Sequence, residues 1–162
     1  MKLKQKLSSH DALVIVAHPD DETIWLGGFI LQHPEINWTI LALCRASDPD
    51  RKPKFLKACN RLKAKPIITD LNDETKIKLS DYIPAIKKII SQKIKNAKFD
   101  YLFTHGKNGE YGHLGHKAVH RAVNLLIKEK KLKTETLFCF NYKKGAQPSA
   151  IISSDLIIYL TA

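Results

Sequence analysis

Disulfide scaffolding is the first thing this sequence lacks the means for. Its three cysteines, Cys44, Cys59 and Cys139, are odd in number and widely spaced. That argues against a stapled secreted fold and suits a reducing cytosol, so a cytoplasmic location is expected. No Cys-x-x-Cys pair occurs, which counts against a cysteine-based zinc site. No apolar run approaches the roughly 20 residues that span a bilayer. The basic start, Met1 to Leu7, has no long apolar segment behind it, which argues against a signal peptide. The glycine fingerprint of dinucleotide binders is missing after the first strand-like run, where acids that would repel phosphate stand instead. No internal repeat or low-complexity stretch is present. Acids are also short in supply, with 16 Asp and Glu against 27 Lys and Arg, a formal net charge of +11.

An excess of positive charge raises the question of polyanion binding. The densest block runs from Arg51 to Lys65, but its apolar residues Phe55, Leu56, Cys59 and Leu62 recur at helical spacing. The lysines then read as the solvated face of an amphipathic helix. A basic module that binds nucleic acid or another polyanion, keeping a degenerate or structural metal site, stands as the alternative function. Salt-dependent binding without chemistry would distinguish it.

The rest of the composition is that of an ordinary folded chain. The 162 residues are 44% hydrophobic and 27% charged, enough for one domain with a real core and hardly enough for two. One domain over 1–162 is expected, with residues 1–10 as a flexible N-terminal extension. Strands are expected at 12–17, 38–43, 65–69, 99–104, 136–142 and 156–160. Helices are expected from Pro19 to Gln32, over the basic block to Ala64, from Ser80 to Asn96 with Ser80 as N-cap, and from His113 to Lys130. Such alternation predicts an α/β, three-layer Rossmann-like fold: a mostly parallel sheet with helices on both faces. In the doubly wound order the first and fourth strands are neighbours, and a crevice opens between their carboxyl ends.

Two chemistry-bearing stretches would meet there. The first is Ala17-His18-Pro19-Asp20-Asp21-Glu22, directly after the apolar run 12–16. The acids favour the start of a helix through its dipole and could be only that, yet His18 and Asp21, three apart, can aim at a common point, as metal ligands do. The second is Gly109 to His120, with His113, His116 and His120 on one helical face. His120 lies among Ala118, Val119 and Ala122 and reads as a structural histidine. His105, in the preceding polar loop, reads equally as structural or as a substrate contact.

With these motifs in hand, the chain resembles the PIG-L/LmbE-like zinc-dependent de-N-acetylases. The likeness rests on Ala17-His18-Pro19-Asp20-Asp21-Glu22, on Gly112-His113 with His116 three residues on, and on their placement after strands one and four; it runs from about residue 11 onward. The resemblance implies metal ligands at His18, Asp21 and His116, with Zn2+ as the ion, or Fe2+ in its place. It implies Asp20 as general base and His113 as the group that steadies an oxyanion or protonates the leaving amine. Two histidines and one carboxylate leave a coordination position free, which is the pattern of a catalytic site, and zinc brings the pKa of a bound water to roughly 7. The reaction implied is removal of an acyl group, expected to be acetyl, from an N-acylated amino sugar such as an N-acetylglucosamine conjugate. The partner is then a small molecule, not nucleic acid or membrane; an oligomer that completes the site is compatible with the short chain. Arg51 and Asp73 are the nearest candidates for contacts to sugar hydroxyls, with Arg45 and Asp70 beside them. The sequence departs from the family at Gly115, where an acid or asparagine usually precedes the second ligand histidine. A carboxylate there would orient or charge-couple an imidazole, so its absence is compatible either with reduced activity or with a partner supplied from elsewhere, Glu110 or another acid.

Overall fold

A computed structural model describes residues 10–73, 78–95 and 97–142 and the backbone of 157–159. The extension expected over 1–10 lies outside the described residues apart from His10. The chain runs β1 (Asp11–Val16), α1 (Asp21–Gln32), β2 (Asn37–Ala42), α2 (Arg51–Arg61), β3 (Lys65–Ile68), α3 (Leu79–Lys93), β4 (Lys98–Thr104), α4 (Leu114–Lys128), β5 (Lys133–Cys139) and β6 (Ile157–Tyr159). The strands form one sheet in the order β3-β2-β1-β4-β5-β6. Every pairing is parallel except β5 with β6. The sheet is therefore mostly parallel, as the alternation of strand and helix predicts.

Burial on both faces explains why β1 reads as an unbroken apolar run. Ala12, Leu13, Val14, Ile15 and Val16 are all fully buried, and side chains of a strand alternate between faces. Leu13 and Ile15 join Ile86 and Ile90 of α3 and Val119, Val123 and Leu126 of α4. Val14 and Val16 join Leu26 and Ile30 of α1 and Phe55 and Cys59 of α2 on the other side. These two cores are the outer seams of a three-layer fold.

Two local expectations are corrected. Ser80 is not the N-cap of α3: Lys78 holds that position, and Ser80 sits inside the first turn, its hydroxyl against Asp81. Leu56 does not join the buried face of α2 but is 39% exposed, because one turn of helix against a sheet seats Phe55 and Cys59 instead. The basic residues of that helix, Arg51, Lys52, Lys54, Lys57 and Arg61, are exposed, as a solvated face requires. None of the described helices is long and apolar enough to cross a membrane.

Candidate metal centre

The strand order places the ends of β1 and β4 side by side, in register from Ala12 opposite Tyr101 to Ile15 opposite Thr104. The chain leaves β1 through His18-Pro19-Asp20-Asp21 and leaves β4 through His105 and the loop to His113. Helix α1 starts where it does because Asp21 and Glu22 fill its first turn, where acids oppose the positive end of the helix dipole. The second loop is held by backbone bonds from Gly109 to Gly106, and from Gly112 and His113 to Gly109. Gly109 cannot be replaced without strain: its φ is +65°, and a Cβ there would lie 2.6 Å from the His113 carbonyl oxygen.

These loops converge on Asp21. Its side chain is 6% exposed, and Oδ2 accepts the His18 backbone N–H at 2.9 Å while Oδ1 accepts the Trp25 indole N–H at 3.2 Å. The same Oδ2 lies 3.3 Å from His18 Nδ1, 3.4 Å from His116 Nε2 and 3.5 Å from His105 Nε2. Burial alone would raise the Asp21 carboxyl, but the imidazoles of His105, His18 and His116 gathered around it outweigh that and hold it far below the usual carboxylate range. One nitrogen each of His18, His113 and His116 also falls within 4.8 Å of the others, and so do ligand atoms of Asp21, His105 and His116.

Hydrogen bonding fixes where the lone pairs point. Glu110 is buried, and although burial raises its carboxyl, bonds from His105 and His116 bring it down to about 2. An ionised carboxylate only accepts. Its Oε2 takes His105 Nδ1–H at 3.0 Å and His116 Nδ1–H at 2.6 Å, while Oε1 takes the Gly106 N–H at 2.7 Å. With Nδ1 donating, the neutral form of each ring carries its lone pair at Nε2. In His105 that lone pair accepts the Ala17 backbone N–H at 3.0 Å. In His116 it is buried, has no hydrogen-bond partner and faces the Asp21 oxygen. A buried imidazole nitrogen with no hydrogen-bond partner, 3.4 Å from a carboxylate oxygen, is a cation's coordination sphere in outline. The residues present therefore fit a divalent metal.

Each residue singled out in the sequence has a definite place. Asp20 lines a cavity of about 250 Å³ with His18, Asp21, Trp25, Arg51 and Tyr111. Its Oδ2 is 2.7 Å from Arg51 Nη1. His113 packs over Gly115, its Nδ1 buried and unpartnered; burial and then the His116 and His18 imidazoles lower its pKa, so it is neutral near pH 7. Asp73 is gripped by Arg45 at 2.7 and 3.1 Å and lies 3.9 Å from His18 Nε2. Asp70 caps a loop instead, accepting from the Ser47 backbone and hydroxyl. His120 gives its Nδ1–H to the His105 carbonyl at 2.9 Å. Sequence reasoning left the roles of His105 and Glu110 open; the one signal was the glycine at 115, which is compatible with a carboxylate from another position as well as with a weakened site. A larger groove of about 590 Å³ between α3 and α4, lined by Leu79, Ile83, Pro84 and Leu125 with Lys87 and Arg121, carries no such cluster, so chemistry and not volume locates the site.

A doubly wound sheet with a histidine–carboxylate nest at its switch point defines a class of α/β proteins with a metal-type centre. Within that class the chain belongs to the PIG-L family, described as GlcNAc-PI de-N-acetylase, which matches residues 13–127. An uncharacterized protein of Acanthamoeba polyphaga mimivirus is 24% identical over 125 residues, covering 67% of this chain and 54% of that one. Among solved structures, the deacetylase of an antimicrobial pseudoaglycone aligns with a TM-score of 0.67 at 18% identity, over 79% of this chain and 62% of that one. The N,N'-diacetylchitobiose deacetylase of Pyrococcus horikoshii aligns with a TM-score of 0.60 at 14% identity, over 85% and 62%. The chain thus spans about half the length of the curated relative it matches, and these likenesses carry the fold.

Proposed function

We propose that this domain is a divalent-metal-dependent hydrolase that removes an acetyl group from an N-acetylated amino sugar or its conjugate. The observation that carries the reading is the unpartnered, buried His116 Nε2 facing Asp21, in a chain whose family is described as a de-N-acetylase. His18, Asp21 and His116 would hold the ion, zinc or iron(II). When bound, the ion supplies Lewis acidity and brings a coordinated water's pKa near neutrality.

The chain's own groups divide the remaining work. Asp20, whose side chain is 46% exposed to the cavity, takes a proton from the attacking water as its oxygen bonds the acyl carbon. His113, neutral near pH 7, donates to the carbonyl oxygen as negative charge develops there. The C–N bond then breaks, its electron pair goes to nitrogen, and the proton that Asp20 took from the water passes to that nitrogen, releasing the amine and acetate. Arg51 lies on the cavity wall beside Asp20, where its free N–H groups suit sugar hydroxyls, and Asp73 is the second such contact. Asp20 and Asp21 in the same wall disfavour a polyanion at this site.

The test pairs elemental analysis of purified protein with an amine-release screen over N-acetylated amino sugars, metal-loaded and chelated. Metal near one equivalent, with release that chelation abolishes and zinc or iron(II) restores, is the expected result. Protein that binds no divalent ion, or releases amine equally well in chelator, overturns the proposal.

A further inference from the structure

Glu110 is separated from any metal by an imidazole, yet more of the site hangs on it than on any other side chain around Asp21. Its side chain is fully buried, and both oxygens are spoken for. One takes the Nδ1–H of His116 at 2.6 Å and of His105 at 3.0 Å, and the other takes the Gly106 N–H at 2.7 Å. Its backbone is held at φ +57°, a left-handed conformation that a non-glycine residue adopts at a cost. Asn108 Oδ1 pins it there by accepting the Glu110 N–H at 3.1 Å.

We propose that Glu110 is the positioning residue of the metal centre, supplying from the loop the carboxylate that a residue at 115 would otherwise supply from the helix. The proposal rests on the metal-dependent reading above. Glu110 acts in two directions. Toward His116 it fixes the Nδ1–H tautomer, aims the Nε2 lone pair at Asp21 and raises that nitrogen's basicity. Toward His105 it fixes the same tautomer, and His105 Nε2 then holds the Ala17 N–H at 3.0 Å, one residue before His18. The loop after β4 is thereby tied to the end of β1, so one carboxylate sets the relative position of His18 and His116.

Gly115 is the complement of this arrangement. A Cβ at 115 would lie 3.1 Å from both Nδ1 and Cε1 of His113, a contact that the ring must relieve by a few tenths of an ångström. A side chain at 115 would crowd His113 where it now sits; Glu110 supplies a carboxylate without that crowding. The glycine is then no sign of a decayed site.

Cobalt(II) is the probe. Wild type and Glu110→Gln are stripped of metal, checked for equal folding by circular dichroism and thermal midpoint, and titrated with Co2+ against a competing chelator. Glutamine preserves size but cannot offer an oxygen to the imidazoles and another to Gly106 N–H together. The expected result is cobalt affinity about 10- to 100-fold weaker, with an altered ligand-field spectrum. On wild-type Co2+ protein, proton NMR supplies a second reading that needs no variant: the His116 Nδ1–H signal should exchange slowly with solvent. Affinity within twofold of wild type and an unchanged spectrum, or a rapidly exchanging Nδ1–H, overturns the role of Glu110 while leaving the metal reading intact. Wild type that binds no cobalt overturns both.

Discussion

Asp20 and Asp21 are adjacent in sequence, yet replacing each by asparagine should produce opposite failures. The Asp20 side chain is 46% exposed and pairs with Arg51, itself 48% exposed; such an ion pair is worth at most about 1 kcal/mol. Asp20→Asn should therefore shift the thermal midpoint by no more than about 4 °C in a domain of this size. It touches none of the proposed ligand atoms, so bound metal should remain. Turnover should fall about 10²- to 10⁴-fold, the usual share of a general base. Asp21→Asn removes the charge that three imidazoles face, from a side chain only 6% exposed. Its amide puts N–H donors where an acceptor serves His18 N–H or the Trp25 indole, a mispairing worth about 1–3 kcal/mol. Metal should be lost on dialysis and the midpoint should drop. The assay is a metal-to-protein ratio, a melt and acetate release on the same three preparations. Equal metal loss in both variants, or Asp20→Asn retaining more than a tenth of wild-type turnover, refutes the assignment.

Three further outcomes are expected. His120→Ala should keep its metal and lose about 1 kcal/mol of stability, because His120 donates to the His105 carbonyl and reaches no ligand; metal loss in this variant alone would show the ligand set to be wrong. Leu102→Ala, fully buried on β4, should destabilise the fold by about 2–5 kcal/mol in denaturant unfolding. Burial pushes the Cys44, Cys59 and Cys139 thiols up to about 12. The thiolate is the reactive form, so at pH 8 about one thiol in ten thousand would be ionised; alkylation of native protein should be slow at all three and rapid after unfolding, as mass spectrometry can count.

The sequence displays the scaffold more openly than the wiring of its site. Strands such as Ala12 to Val16 and the Ile40 to Ala42 stretch of β2 are buried on both faces, so they stand out as apolar runs, and amphipathic spacing marks α3 and α4. Strand order then follows from the doubly wound rule, and the meeting of His18 with His116 follows from strand order. Ser80 and Leu56 misled for a local reason: capping and facing depend on where a helix starts within one residue, which docking on the sheet decides. Glu110 is the deeper case. Its reach to two imidazoles depends on left-handed backbone at Gly109, Glu110 and Gly112, and a loop path of that kind leaves no periodic trace. Asp73 is similar, because its partner Arg45 also sits at positive φ, +71°.

Among the described residues, five non-glycine positions have a left-handed φ, and three of them, Asp20, Arg45 and Glu110, stand around the Asp21 nest. Each such residue costs on the order of 1–3 kcal/mol of backbone energy. Glycine at any of the three would relax the chain and delete the side chain the nest relies on. A laboratory selection that rewards heat tolerance alone would therefore drift toward a sturdier protein with a blunted centre. Hardening this molecule calls for a screen that weighs retained metal alongside melting.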